Sequence, residues 1–255
     1  MPSYTFTPSI LRGAGTRAVP EIPAGSSFTN NFSLDFDGSD DIVGVSSLDT
    51  SVLPTGSFSI STWFNTSGGG FGGLVQVGDF AGNVAFNLVK GSSRNIIAQI
   101  ELSGGQKLFN TPNFQFNANE WNNLIFVFDN STTSQSFKIY VNNVLKKADN
   151  ESPSGQTIVY PANSELRLGQ WNNIGTTDNY FFEGNIDETA IFNTALSTSE
   201  VSSIYGTGVP NDISSLNPVI WYRFEEGSGT TAINSGTGGN NGTINGATYS
   251  TSTPS

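Results

Sequence analysis

The sequence predicts an all-β protein made of two antiparallel sheets packed face to face, and three observations predict it. Short apolar runs succeed one another from Phe32 to about Phe192 with turn residues between them, and no α/β alternation interrupts them. The 255 residues include 29 Gly and 11 Pro, many of them between those runs, the punctuation of a chain with many turns. Phe alone occurs 19 times, which supplies the large side chains that a core between two sheets needs.

Residues 1–31 carry Pro2, Pro8, Pro20 and Pro23 with little periodicity and are expected to form an extended arm. Tyr4, Phe6, Ile10 and Leu11 gain nothing on a solvated tail. With Arg12 and Arg17 they suit an arm that orders by lying on a partner, and a loose terminus is the alternative. "FSLDFDG" alternates Phe32, Leu34 and Phe36 with polar residues. "FSISTWF" sets Phe58 and Ile60 against serines and puts Trp63 on the opposite face; Trp63 and Trp121, in or at the start of strands, are expected in the core. "VAFNLVK" and "NIIAQIEL" follow. "WNNLIFVFD" is apolar at every position from Leu124 to Phe128, as in a central strand covered on both faces. "FKIYVNNVLKK" is a hairpin whose Asn142 and Asn143 tolerate the positive φ of a tight turn. "SELRLGQ" and "GNIDETAIF" complete the main set.

One short helix is expected near 198–205. Ser197 and Glu200 have capping-box spacing, Leu196 and Val201 staple spacing, and Gly206 supplies a stop. Residues 207–217 read as a linker. Residues 218–255 hold an aromatic strand at Trp221, Tyr222 and Phe224, then a Gly/Asn-rich stretch. A lone strand cannot bury those rings unaided.

Ten basic residues face 21 acidic ones, for a net charge of −11. Without clustered Lys/Arg, nucleic acid and anionic membranes are poor partners. No Cys and no His occur, which removes disulfides, thiolate or imidazole metal sites and Ser-His-Asp catalysis. Residues 1–27 show no apolar run long enough for a signal peptide. That, with an Asn/Ser/Thr/Gly-rich, Lys-poor surface-type composition, suits a virion component made in a host cytoplasm and released by lysis, with a bacterial cytoplasmic protein as the alternative.

The motifs "LDFDGSDDIVGV", "GSFSISTWF", "EWNNLIFVFD", "KIYVNNVL", "LRLGQ" and "GNIDETAIFNTALSTSEVSSIY" together resemble the concanavalin A-like lectin/glucanase superfamily, in particular its laminin-G-like jelly-roll domains, over residues 32–206. The pattern F-D-G-x-x-D-x-V stands at Phe36, Asp37, Gly38, Asp41 and Val43. The whole arrangement is similar to proteins encoded by marine bacteriophages. The resemblance implies a jelly-roll sandwich and a virion structural or decoration role, in many copies or as a homo-oligomer, docked on other virion proteins through the arm. The order departs from the family: the strand holding Trp221, Phe224, Glu226, Gly227 and Gly229 precedes the F-D-G motif in most relatives and follows it here. It is expected to complete the same sandwich in permuted order; addition to a neighbouring subunit and a truncated second repeat are the alternatives.

Three chemistries compete for a site. The glucanase signature E-[ILV]-D-x-x-E finds Asn185 and Ala190 where both catalytic Glu belong, with only Ile186 and Asp187 kept, so no catalytic residue is assigned and a degenerate glycosidase is the weakest reading. Asp35, Asp37, Asp40 and Asp41 could hold calcium, the one cofactor this chemistry accommodates though none is required, with Asp187 and Glu188 as distant partners. Alternatively they cap the backbone of an Asp-Gly turn. "GQWNNIGTTDNYFF" brings Trp171, Asn172, Asn173, Asp178 and Tyr180 into one loop, the stacking and hydrogen-bonding set of a host-glycan contact, with "NTSGGGFGG" on a shared rim; Trp171 folded into the core, or a subunit contact through the loop, is the alternative. The expected function is therefore a non-enzymatic virion decoration protein, with a glycan-binding adhesion module as the alternative.

Overall fold

The computed structural model describes residues 28–79, 81–131, 135–151, 155–172 and 179–255. The expected arm contacts Tyr4, Phe6, Ile10, Leu11, Arg12 and Arg17 lie outside these residues, as do Asn173 and Asp178.

Strands β1 (Ser33–Asp37), β2 (Ile42–Val45), β3 (Phe58–Asn65), β4 (Gly72–Gly78), β5 (Val84–Lys90), β6 (Ile96–Leu102) and β7 (Gly105–Asn110) open the fold. Then come β8 (Trp121–Asn130), β9 (Gln135–Val141), β10 (Val144–Glu151) and β11 (Glu165–Leu168). The short strands β12 (Gln170–Asn172) and β13 (Asn179–Phe181) lead into β14 (Glu183–Phe192) and helix α1 (Thr198–Tyr205). The chain closes with β15 (Ile220–Tyr222), β16 (Thr231–Ala232), β17 (Gly242–Asn245) and β18 (Thr248–Ser250).

One sheet runs β10-β9-β8-β3-β14-β1-β18, with β15 also paired to β14; the other runs β16-β17-β2-β11-β4-β5-β6-β7. All pairings are antiparallel. Period-two alternation sends Phe58, Ile60 and Phe64 of β3 into the space between the sheets, where Phe86, Phe126 and Phe128 meet them. This is the expected jelly-roll-type sandwich.

β8 is buried from Asn122 to Phe128 because each of its faces has a cover. Leu124, Phe126 and Phe128 face the inner core, while Ile125 and Val127 join a second cluster on the outer face of the first sheet. That cluster includes Val201 and Ile204 of α1 and the buried Leu196, as the staple spacing predicts. Ser197 accepts the Glu200 N–H and the Glu200 carboxylate accepts the Ser197 N–H at 2.7 Å, closing the capping box. Trp63 is buried and stacks on Tyr205 of the same helix, with ring centres 5.8 Å apart. Trp121, expected in the core, is only half-buried, because it starts β8 at the rim of the sheet. Asn142 and Asn143 take φ of 51° and 61° in the β9–β10 turn.

Residues 218–255 enter both sheets of the same chain. β15 pairs with β14, β17 with β2 and β18 with β1. Trp221 and Phe224 are 4% and 0% exposed, the first against the outer cluster and the second in the inner core. The intervening stretch contributes the buried Ile213 to the outer cluster.

Candidate functional site

The loops joining β3 to β4, β5 to β6 and β7 to β8 gather at one end of the sandwich. In the first, Gly68 and Gly70 take φ of 89° and 64°, conformations that L side chains rarely adopt. Thr66 Oγ1 accepts the Gly68 N–H, and the Arg94 side chain from the β5–β6 turn lies against Gly68. Lys90, at the end of β5, is 1% exposed and donates from Nζ to the carbonyls of Gly69 and Gly70, the latter at 3.2 Å. Burial lowers the Lys90 ammonium to about 8, partly offset by the Glu183 carboxylate. An ammonium held under a glycine loop thus fixes two of its carbonyls inward.

The next residue, Phe71, is where that loop meets the β12–β13 hairpin. Its ring lies 5.7 Å from Trp171 and 5.3 Å from Tyr180, and those two stack across the hairpin at 5.0 Å with 26° between their planes. All three are half-buried. Trp171 and Tyr180 are direct cross-strand partners, so ladder geometry sets their separation. The hairpin lies close over β4: a Cβ on Gly73 would meet the Gln170 carbonyl at 2.2 Å, which only glycine avoids. The Asn172 N–H donates to Gln76 Oε1 at 3.1 Å. Gln170 accepts from Arg167 at 2.6 Å and donates to Asn179 at 3.1 Å.

The expected glycan residues Trp171, Asn172 and Tyr180 therefore come together, though on paired strands where a loop was expected. The reason is register: Gln170 to Asn172 face Asn179 to Phe181 in a ladder that no apolar alternation announces. "NTSGGGFGG" stands on the rim as expected of it, but Phe71 as the third ring and Lys90 as the post beneath the loop are new here. A Lys closing a strand whose one other polar residue is Asn87 is the signal that could have found it.

The acidic group divides. Carboxylate oxygens of Asp37, Asp40 and Asp41 lie within 4.8 Å of one another. In type and spacing they fit a hard cation, yet the turn already uses two of them: Asp41 Oδ2 accepts the Asp37 N–H and Asp37 Oδ1 accepts the Ser39 N–H, each at 2.8 Å. Burial holds the Asp41 carboxyl above its ordinary range, and the Asp37 carboxylate adds to it. Asp35 does not join the trio; it lies opposite Asn185, on the same face of β1 as Asp37 and one pleat further from the turn.

Asp187 and Glu188 do not reach that trio either. β14 shifts register after Asp187, Glu188 takes φ of 45°, and both carboxylates are buried on the outer face, at 0% and 3% exposure. Asn30 donates to Asp187 at 2.9 Å; Trp221 and Arg223 donate to Glu188 at 2.5 and 3.2 Å. Burial pushes both acids up, Glu188 to about 7, with their mutual repulsion adding to Asp187 and Arg223 restraining Glu188. Phe28 stacks on Trp221, with the Arg223 guanidinium 4.3 Å from the centre of the Phe28 ring, so this pair is sealed beneath the first described residues. The bulge depends on what packs on β14, so the sequence carried no sign of it.

A profile of the concanavalin A-like lectin/glucanases superfamily matches residues 37–202. Among solved structures, a candidate carbohydrate-binding protein from Bacteroides ovatus superposes with a TM-score of 0.64 at 15% identity, over 88% of this chain and 60% of that one. NanB sialidase from Streptococcus pneumoniae gives 0.55 at 22% identity, over 68% of this chain and 27% of the sialidase. The CBM40 of Ruminococcus gnavus IT-sialidase, bound to α2,3-sialyllactose, gives 0.51 at 15% identity, over 68% and 97%. At these identities the likeness establishes the fold. A search of the curated proteins finds no match to the chain.

Proposed function

The chain belongs to the concanavalin A-like lectin/glucanase superfamily, and we propose that within it this protein is a non-catalytic glycan-binding module. The observation that carries the reading is the half-buried aromatic group Phe71, Trp171 and Tyr180, assembled from two separate segments at one end of a rigid sandwich. Aromatic faces stack on the apolar faces of sugar rings, and the surrounding amides hydrogen-bond hydroxyls. The Bacteroides ovatus and Ruminococcus gnavus proteins of the same fold support a sugar ligand.

Hydrolysis fits the residues poorly. Asn185 and Ala190 occupy the positions of the two carboxylates that a retaining mechanism on this strand needs. The acids that do stand on β14, Asp187 and Glu188, are buried and engaged by Asn30, Trp221 and Arg223. A virion, with the arm on a neighbouring protein and the aromatic end outward, is the setting we propose for such a module. Tyr4 to Arg17, which would carry that docking, lie outside the described residues.

A glycan array probed with the full chain, with calcium and with a chelator, tests the reading. Binding to a defined set of glycans is expected. Turnover of a β-glucan, or binding to no glycan in either condition, would contradict it.

A further inference from the structure

Resting on that reading, we infer that the rim carries a second stacking platform, the exposed Phe114 backed by Arg94. With it the module grips an uncharged sugar chain along its length, where one platform would hold a single sugar. Phe114 stands in the β7–β8 loop and is 69% exposed. Two residues on, Phe116 is buried against Phe64, with ring centres 5.1 Å apart. The loop therefore spends one ring as its anchor and holds the other out.

The backbone fixes that outward ring. Phe114 and Arg94 take φ of 62° and 58°, a region in which a bulky L residue is an outlier. Such conformations persist where the surroundings over-determine them, and they gather at ligand clamps. Here the Phe114 N–H donates to the Ser93 carbonyl at 3.0 Å and the Gln115 N–H to the Arg94 carbonyl at 2.8 Å, tying the loop to the β5–β6 turn. The Asn119 N–H donates to the Thr66 carbonyl at 2.8 Å, tying it to the glycine loop as well.

The Arg94 guanidinium lies 4.8 Å from the centre of the Phe114 ring, so it covers one face and leaves the other to a ligand. The stem of Arg94 runs against Gly68, where a Cβ would meet it at 3.0 Å. From Gly68 to Phe71 is a step of three residues, at most about 10 Å. Phe71 in turn touches Trp171 and Tyr180. Between the platforms stand Gly69 and Gly70, both exposed, with their carbonyls drawn inward by Lys90. A Cβ on either would meet nothing within 4 Å, so the path from one platform to the other is open to solvent.

This layout sets the ligand class. One pyranose covers one platform, and only a chain of linked sugars reaches both. Asn113 and Asn119, exposed beside Phe114, offer neutral amides to hydroxyls. The net charge of −11 disfavours a polyanionic chain.

The test is calorimetric titration of the full chain with the di- and hexasaccharides of the cello, laminari and manno series and with hexagalacturonate. Wild type, Phe114→Ala and Phe114→Tyr are compared, with melting temperatures alongside; so exposed a ring should leave stability unchanged on truncation. A neutral hexasaccharide is expected to bind wild type about tenfold or more tighter than its disaccharide. Phe114→Ala should lose that gain and keep the disaccharide affinity, and Phe114→Tyr should restore the gain. Equal hexasaccharide affinity in Phe114→Ala, no gain with length, or binding of hexagalacturonate alone overturns the second platform and leaves the module reading standing. Binding of no probe also overturns the second platform, and the glycan array then decides the module reading. Should Phe114→Ala fail to fold, the ring resonances of Phe114 in wild type decide: they shift with the hexasaccharide and not with the disaccharide, and unmoved resonances overturn the inference.

Discussion

Trp221 donates its indole N–H to Glu188 at 2.5 Å, joining the C-terminal segment to the bulge of β14 on the outer face of the sandwich. The bond matters because Glu188 is 3% exposed and cannot turn to water for a replacement donor. Trp221→Phe keeps a ring in the outer cluster and removes only the donor. A loss of about 1–3 kcal/mol in unfolding free energy is expected from denaturant titration at neutral pH, the cost of stranding a buried acceptor. No loss would mean that the contact is incidental.

The same buried acids set a pH slope. Glu188 rises from an ordinary 4.5 to about 7, and Asp187 shifts in the same direction. The native state therefore binds more protons than the unfolded chain between about pH 4.5 and 7, and stability falls as pH rises through that window. A fall on the order of 1–3 kcal/mol is expected from denaturation curves across it. Glu188→Gln should flatten the slope, and an unchanged slope would contradict the assignment.

Lys90 acts with the opposite sign in a separate window. Its ammonium is lowered from 10.5 to about 8, so the native state binds fewer protons between those values and stability rises with pH there. Lys90→Met removes a buried charge and should leave thermal stability at neutral pH equal or higher. Amide exchange at Gly68 to Phe71 should quicken at least tenfold, because the two loop carbonyls lose their shared donor. Unchanged exchange in the loop would show that Lys90 does not hold it.

At the acidic turn, Asp41→Ala removes the acceptor of the Asp37 N–H and should cost about 1 kcal/mol. The same cost is expected in calcium and in chelator if the carboxylates serve the turn. A cost confined to calcium-containing buffer would assign them to the cation.

What was legible beforehand follows from where the determining interactions lie. The alternation of β3, the two-sided burial of β8, the Asn142–Asn143 turn and the Ser197–Glu200 box are local, and each stands where its spacing put it. Trp171, Asn172 and Tyr180 were legible as a group, because stacking rings and amides are recognisable by type. Their ladder was not, since Gln170 to Asn172 and Asn179 to Phe181 carry no alternation to announce a hairpin. Lys90 and the buried Gln76, Asn87 and Gln99 are polar residues in strands, which pattern alone assigns to solvent. Their burial comes from what lies across them in space. The bulge at Glu188 likewise answers to tertiary packing, where β14 passes between β3 on one side and β1 and β15 on the other.

The most direct test of the glycan-binding claim is the affinity of the best array glycan for wild type and for Trp171→Ala, measured by titration calorimetry with melting temperatures alongside. Trp171 is half-buried on a short hairpin at the rim, so its truncation should leave the sandwich folded with only a modest drop in melting temperature. Affinity is expected to fall at least tenfold, consistent with the loss of about 1.4 kcal/mol or more of ring stacking. Equal affinity in a folded Trp171→Ala chain would contradict the assignment of the aromatic end as the binding site.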